Sequence, residues 1–139
     1  MDNQGKKFEF LDHPADLKVK VFGQDLTEIF TNAALAMMTY LYPRQVEIKN
    51  HEIKKEIKLK ARDTKALLVD WLSELLYLSD TADCCFNDFD FNKLDENELQ
   101  ATIFGRRVQA KEDIKAVTYH DLELKQVDKE WQARILFDI

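Results

Sequence analysis

Apolar residues recur along this chain with two rhythms, and the changes from one to the other mark its elements. Leu17, Val19 and Val21 alternate with Lys18 and Lys20, which predicts a strand from Leu17 to Phe22 with one wet face. Phe8 to Leu11 reads as a shorter strand before it. The spacing then becomes helical: Leu26, Ile29, Phe30, Ala33, Ala34, Met37, Met38 and Leu41 recur until Pro43. Asp25, with Glu28 three residues on, has the form of a capping box at the start of that helix. Methionines at such positions are core filler. From Val46 to Ala61 the alternation returns, with Val46, Ile48, Ile53, Ile57 and Leu59 against Glu and Lys, and predicts one long ribbon with a solvated charged face. Asp63 then caps a second helix with a broad stripe of Leu67, Leu68, Trp71, Leu72, Leu75, Leu76 and Leu78. Beyond it, Cys85 to Phe91, Leu99 to Val108 and Ala116 to Leu124 read as strands, and the β-branched, aromatic ending Arg134-Ile135-Leu136-Phe137-Asp138-Ile139 reads as a last strand docked into a sheet.

Many strands and only two helices predict an α+β domain, with mostly antiparallel sheets packed against two amphipathic helices. With three glycines, two prolines and no repeat or low-complexity tract, nothing marks an internal boundary, so residues 1–139 are read as one domain with one core. No glycine-rich strand-to-helix turn, G-x-x-x-x-G-K-[ST] loop or G-x-S-x-G elbow is present, so nucleotide cradling and serine hydrolysis lack their usual backbone geometry.

Charge narrows the partners. A net charge of −6 argues against a large phosphate-binding face and hence against direct RNA binding. No stretch approaches a membrane span, and Met1 to Lys7 has no apolar signal core behind it, so a soluble, cytoplasmic protein is expected. Cys84 and Cys85 are adjacent, which strains a mutual disulfide, and neither has flanking ligands at zinc spacing. They are read as reduced thiols.

Two acidic corners remain. Leu11-Asp12-His13-Pro14-Ala15-Asp16 sets two acids and a histidine around a proline turn, where Asp12 and His13 are as well suited to capping the turn as to any chemistry. Asp16 opens an apolar strand and Asp138 closes one, so each carboxylate must face solvent or be compensated by a cation or hydrogen bonds. The end of the chain at Ile139 adds a carboxylate beside Asp138. All-oxygen donors of this kind suit a hard ion such as calcium or magnesium, whereas a soft metal would want sulfur or imidazole.

Three segments together, Asp12-His13-Pro14-Ala15-Asp16, Ile114 to Leu124 with its Lys115-Ala116-Val117-Thr118-Tyr119-His120 core, and the closing Trp131 to Ile139, resemble the archease family. The resemblance runs over essentially the whole chain, with the helix entry at Asp25 to Phe30 and the apolar helix through Trp71 in the matching order. It implies a small protein cofactor of the RtcB-type RNA ligase, which joins RNA halves in tRNA splicing and repair using GTP and a divalent metal. Such a cofactor is not itself an enzyme. It would promote guanylylation of the ligase and its multiple turnover, and would meet RNA only through the ligase. The resemblance also implies a divalent-metal site on Asp16, Asp138 and Ile139, the last through its main-chain or end carboxylate oxygens. Calcium is the usual ion, with magnesium or manganese as alternatives. Asp12, His13 and Lys115 are further candidates for metal or partner contact.

The chain departs from the family pattern twice. Pro14 stands where threonine is more usual, which stiffens the turn and removes a hydroxyl and an amide donor. Gly105-Arg106-Arg107 replaces an expected Gly-Glu, and the connection to the Lys115 segment is shorter. Two rival readings stand beside this one. One is a small metal-dependent phosphoester hydrolase, with Asp16 and Asp138 holding the ion and His13 or His120 as general base. The other is a chaperone-like interaction domain with a structural cation.

Overall fold

A computed structural model describes residues 5–11 and 15–139; Asp12, His13 and Pro14 of the acidic turn lie outside the described residues. In chain order the elements are β1 (Phe8–Leu11), β2 (Leu17–Gly23), α1 (Leu26–Leu41), β3 (Ile53–Lys60), α2 (Thr64–Ala82), β4 (Cys84–Leu94), β5 (Glu98–Arg107), β6 (Ala116–Val127) and β7 (Glu130–Asp138). They form two antiparallel sheets, one ordered β1-β2-β7-β6 and the other β3-β5-β4. The α+β expectation therefore holds.

Both helices start as the sequence predicts. The Asp25 carboxylate accepts the Glu28 main-chain N–H at 2.9 Å. Glu28 reaches back one residue further than a standard capping box, accepting the Gln24 N–H at 2.9 Å. Asp63 accepts the Ala66 N–H at 2.8 Å at the head of α2, which ends at Asp83 in the left-handed region, φ 48°.

α1 packs on β2 and on β4, and α2 packs on β6 and on β4, so each helix touches both sheets. Met37 and Met38 are fully buried, as core filler should be. Trp71, also fully buried, joins the helices: its indole N–H donates to the Phe30 carbonyl at 3.0 Å, and its ring lies 5.7 Å from Phe89 and 5.1 Å from Phe91. Cys84 and Cys85 are buried free thiols.

The predicted ribbon from Val46 to Ala61 is half right. Only Ile53–Lys60 is a strand. Before it, Arg44 takes φ 71°, and Gln45 and Ile48 donate their N–H groups to the Tyr42 and Gln45 carbonyls at 3.1 Å each, which is turn geometry. The Val46 and Ile48 carbonyls are then satisfied by the Asn87 side-chain amide, at 3.0 and 2.7 Å, in place of a neighbouring strand. The period-two spacing of Val46 and Ile48 is thus a coincidence of a packed loop.

A carboxylate corner at the end of the first sheet

The corner is built by register. Leu17, Val19 and Val21 of β2 stand opposite Phe137, Ile135 and Ala133 of β7, and both sets turn toward the core. One residue beyond the Leu17–Phe137 pair stand Asp16 on one strand and Asp138 on the other. Alternation that turns Phe137 inward leaves Asp138 outward and exposed, while Asp16 is half-buried. On the other flank Ala116 of β6 pairs with Asp138, and the Lys115 N–H donates to the Asp138 carbonyl at 2.7 Å. Three segments distant in sequence thus bring Asp16, Asp138, Ile139 and Lys115 to one sheet end.

The chemistry of this set is that of oxygen. Two carboxylates and the main-chain oxygen of Ile139 offer hard donors, while the Asp138 carbonyl is already engaged by Lys115. Such donors fit calcium or magnesium and offer neither sulfur nor imidazole to a softer metal. Among the described residues no three His, Cys, Asp or Glu side chains gather into a metal-binding group. With so few protein donors gathered here, water would fill most of the shell of a bound ion.

A cation the sequence did not single out stands one step in from the carboxylates. Lys18 pairs in register with Leu136, and its ammonium lies 3.8 Å from Asp121. Asp121 reaches it because β6 loses register between Thr118 and Glu123, with Asp121 at φ 57° and the His120 N–H bonded to Thr118 Oγ1 at 2.7 Å. With Asp121 half exposed and the separation long, the pair contributes at most about 1 kcal/mol, so its effect is on the local field. His120 is three-quarters exposed and 3.7 Å from the same Asp121 carboxylate.

The Gly105-Arg106-Arg107 departure serves local structure. The Arg106 guanidinium donates to Gln45 Oε1, and the Arg107 N–H donates to Glu52 Oε1 at 2.8 Å. The short connection that follows is pinned to both helix ends: Val108 N–H donates to the Asp83 carbonyl at 2.9 Å and Lys111 N–H to the Leu41 carbonyl at 2.8 Å. Ile114 then buries in the core. Lys115 is delivered to the corner by these anchors.

Two sheets, two helices and a carboxylate corner between the first and last long strands define the class. The sequence profile of the Archease protein family (MTH1598/TM1083) matches residues 8–139. The chain is similar to the protein archease of Methanosarcina mazei, 38% identical with all of both chains covered. It is also similar to that of Methanothermobacter thermautotrophicus, 34% identical over 96% of this chain and 99% of the relative. Its fold matches the solution structure of Methanobacterium thermoautotrophicum protein 1598, with TM-score 0.79, 32% identity and coverage of 96% and 99%. It also matches the crystal structure of "an archease, possible chaperone" from Thermotoga maritima, with TM-score 0.65, 21% identity and coverage of 93% and 94%. The chain belongs to the archease family. Among the described residues no helix is long and apolar enough to cross a membrane.

Proposed function

We propose that this protein is an activator of an RtcB-type RNA ligase, acting through a divalent cation held at the Asp16–Asp138 corner. The observation that carries the reading is the β2–β7 register, which sets two carboxylates at one sheet end in a chain of the archease family. Asp16, Asp138 and the Ile139 oxygen would hold calcium, magnesium or manganese, and Lys115 stands beside them to meet the ligase or its nucleotide. The ion supplies positive charge at an acidic corner. The chain's own part is to fix the two carboxylates through the sheet and to present them at a surface that opposite charge steers toward a basic, RNA-lined cleft. Activation then requires tighter binding to one state of the ligase than to another, since a ligand of equal affinity shifts nothing.

The wording "possible chaperone" for the Thermotoga maritima protein favours a second reading, a client-binding domain with a structural cation. A sealing assay separates the two. Added in substoichiometric amount to a matching ligase with GTP, a divalent ion and RNA halves, the protein should raise the number of ends sealed per ligase. Protection of unrelated unfolding proteins without any effect on sealing would favour the chaperone reading instead.

A further inference from the structure

Beside the corner runs a groove that the metal reading does not use. It has a volume of about 350 Å³ and lies between the C-terminal half of α2 and the segment leading into β6. Leu76, Ile114 and Val117 supply apolar lining, Tyr77, Asp80 and Asp113 supply polar lining, and Lys115, whose N–H also bonds the Asp138 carbonyl, supplies one cation. Its wall is not loose, because the anchors at Val108 and Lys111 hold the connection and buried Ile114 fixes its last turn.

Three features set the chemistry of an occupant. Tyr77 is 62% exposed on a helix whose other face is core, so an aromatic plane is presented to solvent. Asp80 and Asp113 are exposed and have no ion-pair partner among the described residues. Asp80 and Asp113 outnumber the one cation of the lining, Lys115, so the groove carries a net negative charge. An aromatic face with carboxylates and apolar lining suits a planar cation on an aliphatic stem. Guanidinium fits better than ammonium here, because it stacks on rings, pairs bidentately with carboxylates and is less strongly hydrated.

We propose that this groove seats an arginine-bearing segment of the protein partner, its guanidinium over Tyr77 between Asp80 and Asp113 and its apolar neighbours against Leu76 and Ile114. The partner is the ligase, so this step rests on the function proposed above. The groove is continuous with the corner through Lys115 and Ala116, which line the one and flank Asp138 in the other. A segment seated here would therefore hold the corner against the enzyme, and the groove would set affinity while the corner sets the effect.

The test has two arms. In the first, acetyl-Leu-Arg-Leu-amide is titrated into the protein and followed by NMR. Saturable shifts at Tyr77, Leu76 and Ile114 that vanish with the citrulline analogue or with Tyr77→Ala support the site. Equal shifts with arginine and citrulline peptides, or none, overturn it. In the second, Tyr77→Ala and the double variant Asp80→Asn/Asp113→Asn are compared with the parent in stimulating the ligase. The proposal expects the concentration for half-maximal stimulation to rise tenfold or more while the rate at saturation stays within twofold. Stimulation at unchanged concentration by every variant overturns the groove and leaves the ligase reading standing. A parent protein that never stimulates the ligase defeats that reading and the ligase as occupant, whatever the peptide does.

Discussion

The main-chain N–H of Lys115 donates to the main-chain carbonyl of Asp138 at 2.7 Å, one hydrogen bond joining the entry of β6 to the end of β7. Through it the corner is fixed on both sides, by Ala116 on one flank and by the Leu17–Phe137 register on the other. The Asp138 side chain can therefore change without loosening the backbone that carries it.

That separation lets the proposed calcium site be tested apart from stability. Titrated calorimetrically, the parent protein should bind calcium with Kd between about micromolar and millimolar, because few protein oxygens contribute. Asp138→Asn should bind at least roughly tenfold more weakly, yet shift stability by under about 0.5 kcal/mol, since Asp138 is exposed. Equal calcium affinity in parent and variant would place the ion elsewhere.

Gly105 tests the second sheet. A Cβ there would lie 2.3 Å from the Cys85 carbonyl oxygen and 2.8 Å from Cys84 Sγ, so Gly105→Ala forces β4 and β5 apart. A loss of about 3 kcal/mol is expected in urea denaturation, at the upper end of overpacking costs. A change below about 0.5 kcal/mol would mean the strands separate freely.

Alkaline pH should destabilise the protein. Burial pushes the Cys84 thiol up to about 11 and the Cys85 thiol up to about 12 from an ordinary 9.0, and the Tyr42 phenol up to about 12 from 10.0. The unfolded chain thus ionises first. The stability these groups contribute is complete below pH 9.0 and is lost as pH rises through the folded values. The urea midpoint should fall steadily above about pH 9, and a midpoint flat to about pH 11 would contradict the buried, protonated thiols.

Much of this architecture is written locally. Asp25 with Glu28, and Asp63 before an apolar stripe, announce their helices because capping is a contact within four residues. The alternation of Leu17, Val19 and Val21 likewise shows which face of β2 is buried. What the sequence hides is pairing. Nothing near Lys18 shows that Asp121 meets it, because that contact exists only through the β7 register and the irregular stretch of β6. Val46 and Ile48 mislead for the same reason: whether their carbonyls face a strand or Asn87 is settled by a residue about forty positions away. Asp16 and Asp138 were legible as candidates from their places at strand ends, whereas the Tyr77 groove was not. Its one local signal is an aromatic on the polar side of an amphipathic helix.

The central claim is that the corner acts on a ligase, and the most direct measurement is the single-turnover rate at which a matching RtcB-type ligase takes guanylate from GTP, with and without this protein. The account predicts that the parent protein raises this rate, that Asp16→Ala and Asp138→Ala lose most of the gain while remaining folded, and that Lys55→Ala, an exposed position of β3, keeps it. A guanylylation rate unmoved by the parent protein, or raised equally by the corner variants, would contradict it.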